Sequence, residues 1–196
     1  MINIVENFLD VKYQDFLESL IVEQNLPLYY NPNTIYLGKN HLLENEESKL
    51  AYLIDSNTKD TSQFTHNFIQ NENIISDHWI QFLPITYFFM AKCGIGANMI
   101  LKRAKLNFQL KDNSLTENQY NVPHIDQFEK GITGIYYVND CDGSTVFFDK
   151  SDKPKIIQEI QAKKGTFIYF DSNIYHAGKP AKQSEYKSVI NFNWKL

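Results

Sequence analysis

GITGIYYVNDCDGSTVFF, residues 131–148, is the stretch on which the fold turns. Residues 131–139 form an apolar run of β-branched and aromatic side chains, with TGIYYVN at its centre. Asp140-Cys141-Asp142-Gly143 has the chemistry of a tight turn, and residues 144–148 form a second apolar run. The reading is two antiparallel strands closed as a hairpin.

Working outward, the same texture continues on both sides. Residues 156–160, 166–170 and 186–194 read as strands, with a turn at Lys164-Gly165 and a loop or strand edge over 172–182. Upstream, 120–127 reads as extended and 111–118 as a polar loop. Residues 99–110 alternate, placing Arg103, Lys105 and Asn107 on one face and Ala104, Leu106 and Phe108 on the other. On the last strand Lys187, Val189, Asn191 and Asn193 share one face, and Ser188, Ile190, Phe192 and Trp194 the other.

The first half has a different character. Residues 1–11 read as a short strand and a turn, and 15–23 have helical spacing, with Phe16, Leu17, Leu20 and Ile21 on one face. Pro27 and Pro32 end that helix, and 28–30 and 35–37 look extended. Residues 40–49 form a polar surface segment. The mixed composition of 51–73 reads as irregular and substrate-side. Ser76 or Asp77 would cap a helix reaching Lys92, interrupted by Pro84 and ended by Gly94 and Gly96. Helices followed by at least seven strands predict a mainly β domain, a double-stranded β-helix or jelly roll packed on a helical layer. We place it as one domain over 1–196, with helical support and irregular substrate-side segments in 1–98 and the jelly-roll core in 99–196.

Composition narrows the function. The chain has 196 residues, 43% hydrophobic and 21% charged, which suits one soluble core. A net charge of -4 without a basic block gives no electrostatic footprint for nucleic acid and leans toward a neutral or cationic substrate. No apolar run reaches membrane-spanning length. Cys93 and Cys141 read as free thiols in a reducing compartment, which points to a cytoplasmic location.

Chemistry enters at His124-Ile125-Asp126. In extended backbone, residues two apart project from one face, so an imidazole and a carboxylate stand side by side. They are two members of a 2-His-1-carboxylate facial triad, the arrangement that holds non-haem Fe(II) with open positions. Alone, with five histidines in the chain, such a pair is weak evidence. His176 is the histidine downstream that can complete it. The small residues Ala177 and Gly178 beside it leave room for a metal and a ligand. His41, His66 and His78 read as surface or packing residues. Lys187 then points into the sandwich without an acidic partner on the neighbouring strands, and a ligand carboxylate would satisfy it.

These features resemble the 2-oxoglutarate/Fe(II)-dependent dioxygenases, in their prolyl-hydroxylase-like branch, and among those the small uncharacterised oxygenases of phages and bacteria. TGIYYVN (133–139) resembles their TxIYYLN strand, and GSTVF (143–147) their GGxTxF. GTFIYF (165–170) resembles the strand before the distal histidine, and KSVINF (187–192) their RxxxNF. The resemblance covers 99–194 well and the first half in outline. It implies His124, Asp126 and His176 as iron ligands. It also implies Lys187 on the distal carboxylate of 2-oxoglutarate, with Tyr137 as companion and Asn107 and Thr145 as further cosubstrate contacts. Lysine stands at 187 where many relatives have arginine, although the animal collagen-type enzymes use lysine there. Arg103, the sole arginine, reads as structural or substrate-side.

The implied activity is hydroxylation of a C–H bond using O2 and 2-oxoglutarate, with release of succinate and CO2 and with ascorbate as a further candidate cofactor. A peptidyl proline or a small molecule is the substrate the resemblance suggests, in the cytoplasm, including that of a host if the source is viral. Two alternatives stay open. One is a cupin-like metal-binding jelly roll without 2-oxoglutarate chemistry. The other is a non-enzymatic β-sandwich binding module.

Overall fold

The computed structural model describes residues 1–23, 26–35, 51–94, 98–151 and 155–196. In chain order its elements are β1 (Ile2–Val5), α1 (Val11–Val22), β2 (Tyr29–Asn31), β3 (Gln63–Gln70), β4 (Asn73–Ile74) and α2 (Trp79–Cys93). The strands β5 (Ile100–Leu110), β6 (Gly131–Tyr137), β7 (Ser144–Phe148), β8 (Ile156–Gln161), β9 (Phe167–Asp171), β10 (His176–Lys179) and β11 (Tyr186–Lys195) follow.

They build two antiparallel sheets. The larger runs β1-β9-β6-β11-β5-β3-β2, with β4 added to β3, and the smaller runs β10-β7-β8. From β5 onward the chain passes back and forth between the sheets, which is the winding of a double-stranded β-helix.

The inner strands of the large sheet obey period-two alternation because each face meets a different layer. Ala104, Leu106, Ile190, Phe192 and Trp194 turn outward and pack with Leu17 and Ile21 of α1 and Trp79, Phe82, Ile85 and Phe89 of α2. The opposite face of β6 and β9 supplies Ile135, Tyr137, Ile168 and Phe170, which meet Phe147 and Ile160 from the small sheet. The half of that inner face formed by β5 and β11 is polar instead, and there the sandwich holds a cavity.

The structure corrects several expectations. Residues 131–148 are not a hairpin: β6 lies in the large sheet and β7 in the small one, and β7 pairs with β8 and β10. The reason is where the turn finds its partners. Val138 N and Asn139 Oδ1 bond Ser188 across the sheet. The Asp142 carboxylate accepts from the backbone N–H groups of Lys182, Gln183 and Ser184. The segment is tied to a distant strand end and becomes a corner. Gly143 is needed there, since a Cβ would stand 2.7 Å from Lys179 O and 3.0 Å from Lys187 Cδ.

Residues 63–70, placed in an irregular stretch by composition, are a strand paired to β5. The first half therefore contributes β1–β4 to the large sheet as well as helices. Of the two options for 172–182, loop or strand edge, His176 takes the second, as the first residue of the short strand β10. Residues 120–127 meet β10 through the His124–His176 bridge and the Asn121 N to Gly178 O bond, and isolated bridges tie His124 to Tyr52 and Tyr120 to Thr58. Phe16 is 41% exposed, and Gln14 is buried in its place. Ser76 Oγ accepts from His78 N and bonds His66 Nε2, while α2 starts without a side-chain cap and runs through Pro84 to Gly94 at φ 62°. Residues 36–50, His41 among them, lie outside the described residues, as do 24–25, 95–97 and 152–154.

Candidate active site

Three backbone constraints bring the triad together. His124 and His176 exchange two backbone hydrogen bonds, His124 N to His176 O at 2.9 Å and His176 N to His124 O at 3.0 Å. Their rings lie 4.5 Å apart. Asp126 N donates to Ser172 O at 2.9 Å, which turns the carboxylate back under the two rings. One ligand atom from each of His124, Asp126 and His176 lies within 4.8 Å of the others.

The hydrogen bonds around the triad fix which atoms face inward. His124 Nδ1 lies 3.1 Å from Val122 O and His176 Nδ1 3.0 Å from Ile174 O. A carbonyl only accepts, so each Nδ1 carries a proton and each Nε2 is the atom turned toward the centre of the triad. Burial, reinforced by His176, holds the His124 ring down to about 3, so it is neutral at physiological pH. Burial alone would push the Asp126 carboxyl up. The facing His176 and Arg103, with a hydrogen bond from Thr133, hold it well below the usual carboxylate range. Arg103 Nη2 donates to Asp126 Oδ1 at 3.0 Å and Thr133 Oγ1 to Oδ2 at 2.7 Å.

The fit to a metal rests on His176. Its Nε2 is buried and has no hydrogen-bond partner among the described residues, and it stands 3.6 Å from Asp126 Oδ2. A buried imidazole nitrogen and a carboxylate oxygen face each other at 3.6 Å with no hydrogen bond between them, so two ligand atoms stand open to a shared cation. A divalent cation satisfies both, and the donor set suits Fe(II).

The cavity beside the triad has a volume of about 410 Å3. Its polar wall comes from the inward faces of β5 and β11, with Arg103, Lys105, Asn107, Gln109, Lys187 and Asn191. Ile135 and Val189 line it too, and Thr145 and Gly178 reach it from the small sheet. Lys187 is 3% exposed, and its Nζ donates to Ser144 O and to Lys179 O. Burial pushes its ammonium down to about 8, partly countered by Cys141 and Glu159.

Of the residues the sequence singled out, His124, Asp126, His176, Lys187, Asn107 and Thr145 all line this cavity. Tyr137 stands behind it: its fully buried hydroxyl donates to Thr145 Oγ1 at 2.9 Å. His66 is a structural residue, with Nδ1 on Pro27 O at 2.6 Å. Sequence reasoning gave Thr133 and Lys105 no site role and read Arg103 as structural or substrate-side. Arg103 and Thr133 both hold Asp126, and Lys105 adds a further cation to the wall. The signal for Arg103 and Lys105 was the alternation of β5, which put both on the polar face.

Residues 109–195 match the family model described as the 2OG-Fe(II) oxygenase superfamily. No curated protein matches the chain. Among solved structures the chain is similar to a 2OG-Fe(II) oxygenase family oxidoreductase from Burkholderia pseudomallei. The TM-score is 0.67 at 12% identity, covering 99% of this chain and 84% of that one. It is also similar to a viral collagen prolyl hydroxylase from Paramecium Bursaria Chlorella virus-1, with TM-score 0.56, 16% identity and coverage of 100% and 96%. A prolyl hydroxylase from Trichoplax adhaerens, in complex with a peptide fragment, gives TM-score 0.59 at 13% identity, covering 99% and 83%. At these identities the likeness is one of fold.

Proposed function

We propose that the chain is a 2OG-Fe(II) oxygenase, a reading supported by the match of residues 109–195 to that superfamily's model, in which His124, Asp126 and His176 hold the iron and Lys187 receives the distal carboxylate of 2-oxoglutarate. The carrying observation is the buried, unpartnered His176 Nε2, set opposite Asp126 in a cavity that also buries a lysine. A cupin-like metal site has no use for that lysine.

When bound, iron and 2-oxoglutarate supply the oxidising power that couples O2 to hydroxylation of a substrate C–H bond, with succinate and CO2 as coproducts. The chain's own residues do the positioning. The two Nδ1–H···O=C bonds lock the imidazole rings and their tautomers. Arg103 and Thr133 each occupy one oxygen of Asp126 and fix the carboxylate plane.

Lys187 has three N–H donors and gives two to carbonyls, so a third is free for a ligand. Tyr137 donates to Thr145 Oγ1, which leaves the Thr145 proton free to donate into the cavity. Ile135 and Val189 make its apolar wall and keep water from the bound cosubstrate. Asn107, with its Oδ1 buried and unpartnered, offers a polar contact on the same wall. The substrate is a peptide side chain or a small molecule.

Anaerobic titration with Fe(II) and 2-oxoglutarate tests the reading. Chelation gives a visible charge-transfer band in the wild-type protein; it is abolished in His124→Ala and strongly weakened in Lys187→Ala. Wild-type protein that shows neither the band nor succinate release in air sinks the oxygenase assignment. Metal binding without any response to 2-oxoglutarate selects the cupin-like alternative.

A further inference from the structure

Building on the cosubstrate assignment above, we infer that the substrate is an anion, whose carboxylate or phosphate is received by Lys105 beside the triad.

The inward face of β5 presents Arg103, Lys105, Asn107 and Gln109 to the cavity. Arg103 marks the metal end, because it holds Asp126. Gln109 marks the cosubstrate end, because it stands opposite Lys187 in the pairing of β5 with β11. Lys105 is two residues from the first, about 7 Å along the strand, and four from the second, about 13 Å. It therefore sits next to the iron ligands and away from the distal-carboxylate pocket, opposite Asn191.

Its ammonium has no hydrogen bond or ion pair among the described residues, whereas Arg103 is engaged by Asp126 and Lys187 by two carbonyls. Burial, with Arg103 nearby, pushes the Lys105 ammonium down to about 8, and Asp126 partly restores it. Lys105 is half-buried, and a cation on a cavity wall without a partner gains more from a bound oxyanion than one on the open surface.

Charge counting points the same way. The described lining carries Arg103, Lys105 and Lys187 against Asp126, an excess of two positive charges. Iron(II) adds two and the 2-oxoglutarate dianion removes two, so the excess persists however the cosubstrate is arranged. The whole chain is acidic, at -4, which leaned toward a neutral or cationic substrate. The cavity reverses that expectation, because local field and not net charge acts on a ligand inside it.

The competing source of an oxyanion at Lys105 is the cosubstrate's own second carboxylate, and the experiment separates the two. Protein loaded with redox-inert Mn(II) is titrated with 2-oxoglutarate calorimetrically, as wild type, Lys105→Met and Lys105→Arg. The Zn(II) and 2-oxoglutarate complex is then screened by saturation-transfer NMR. The probes are small carboxylates and phosphate esters, each paired with its amide or dephosphorylated form.

The proposal expects anionic probes to bind and their uncharged partners not to bind. Lys105→Met should abolish that binding and Lys105→Arg should restore it, while 2-oxoglutarate affinity stays within about twofold throughout. A tenfold loss of 2-oxoglutarate affinity in Lys105→Met overturns it in favour of a cosubstrate contact. Equal binding of charged and uncharged probes, or binding of neither, also overturns it. Wild-type protein that binds no 2-oxoglutarate fails at the first step and takes the cosubstrate assignment with it.

Discussion

Replacing Lys187 by methionine should make the metal-free protein more stable and the cosubstrate bind less well. The side chains are of similar length, so packing is largely kept. What is removed is a buried ammonium at 3% exposure. Folding lowers its pKa from 10.5 to about 8, a difference equivalent to ~3 kcal/mol. The sign follows from linkage. Below pH 8 both folded and unfolded chains carry the proton, and the full cost of burying it is present. Between pH 8 and 10.5 the folded chain gives up its proton first, and the cost fades as pH rises.

At pH 7 the methionine variant recovers that ~3 kcal/mol, less about 1 kcal/mol for each of Ser144 O and Lys179 O, which lose a donor. The net gain is about 1 kcal/mol, a rise in Tm of roughly 2–4 °C for a chain of this size. Loss of the charged anchor costs ~2–4 kcal/mol of 2-oxoglutarate binding, about 30- to 1,000-fold in Kd. Circular-dichroism melts of metal-free protein at pH 7 read the first effect, and calorimetric titration of the Mn(II) protein reads the second. An affinity within about threefold of wild type refutes the anchor. A fall in Tm alongside the loss of affinity would show that the lysine is structural and that the burial argument is wrong.

Two further outcomes follow from the same geometry. Thr133→Val removes the donor to Asp126 Oδ2 and a partner of Asn193. It should weaken metal affinity by about 10–100-fold in competition with a chelating dye, and an unchanged affinity would show that the hydroxyl does not orient the carboxylate. Because the folded Lys187 titrates at about 8, wild-type affinity for 2-oxoglutarate should fall about tenfold per pH unit above that value. The slope should vanish in Lys187→Met, and a slope surviving in that variant assigns the titration to another group.

The site was more legible in the sequence than the path of the chain. Period-two alternation is strong wherever one face of a strand meets helices, so the inward set Arg103, Lys105, Asn107 and the inward Lys187 could be read from β5 and β11 alone. The pairing of His124 with His176 was inferred from their order between strands. The hairpin failed because a turn sequence encodes reversal without encoding which sheet receives the next strand. That choice is made by Asn139 and Asp142 bonding residues 182–188, which lie 40 to 49 positions downstream. Strand β3 was hidden by its own function. Gln63 lines the cavity and Thr65 bonds Asn31, so the polar half of the alternation looked like loop composition. The roles of Arg103 and Thr133 depend on a contact with Asp126 made only when the two sheets close.

Those long-range constraints also account for lysine at 187, where many similar enzymes carry arginine. The corner at Gly143 and the strand β10, where Lys179 pairs with Ser144, bring two carbonyls, Ser144 O and Lys179 O, onto one side chain. A tetrahedral ammonium can donate to both and still present a third N–H to a ligand. A planar guanidinium is bulkier and spreads its donors in one plane. The space is also short. Gly143 has no room for a Cβ, which would stand 2.7 Å from Lys179 O and 3.0 Å from Lys187 Cδ. The cradle is thus matched to a compact point charge. Any gain in cosubstrate affinity from a bidentate arginine would first require this corner to move, and the corner is fixed by the backbone bonds that Asp142 accepts.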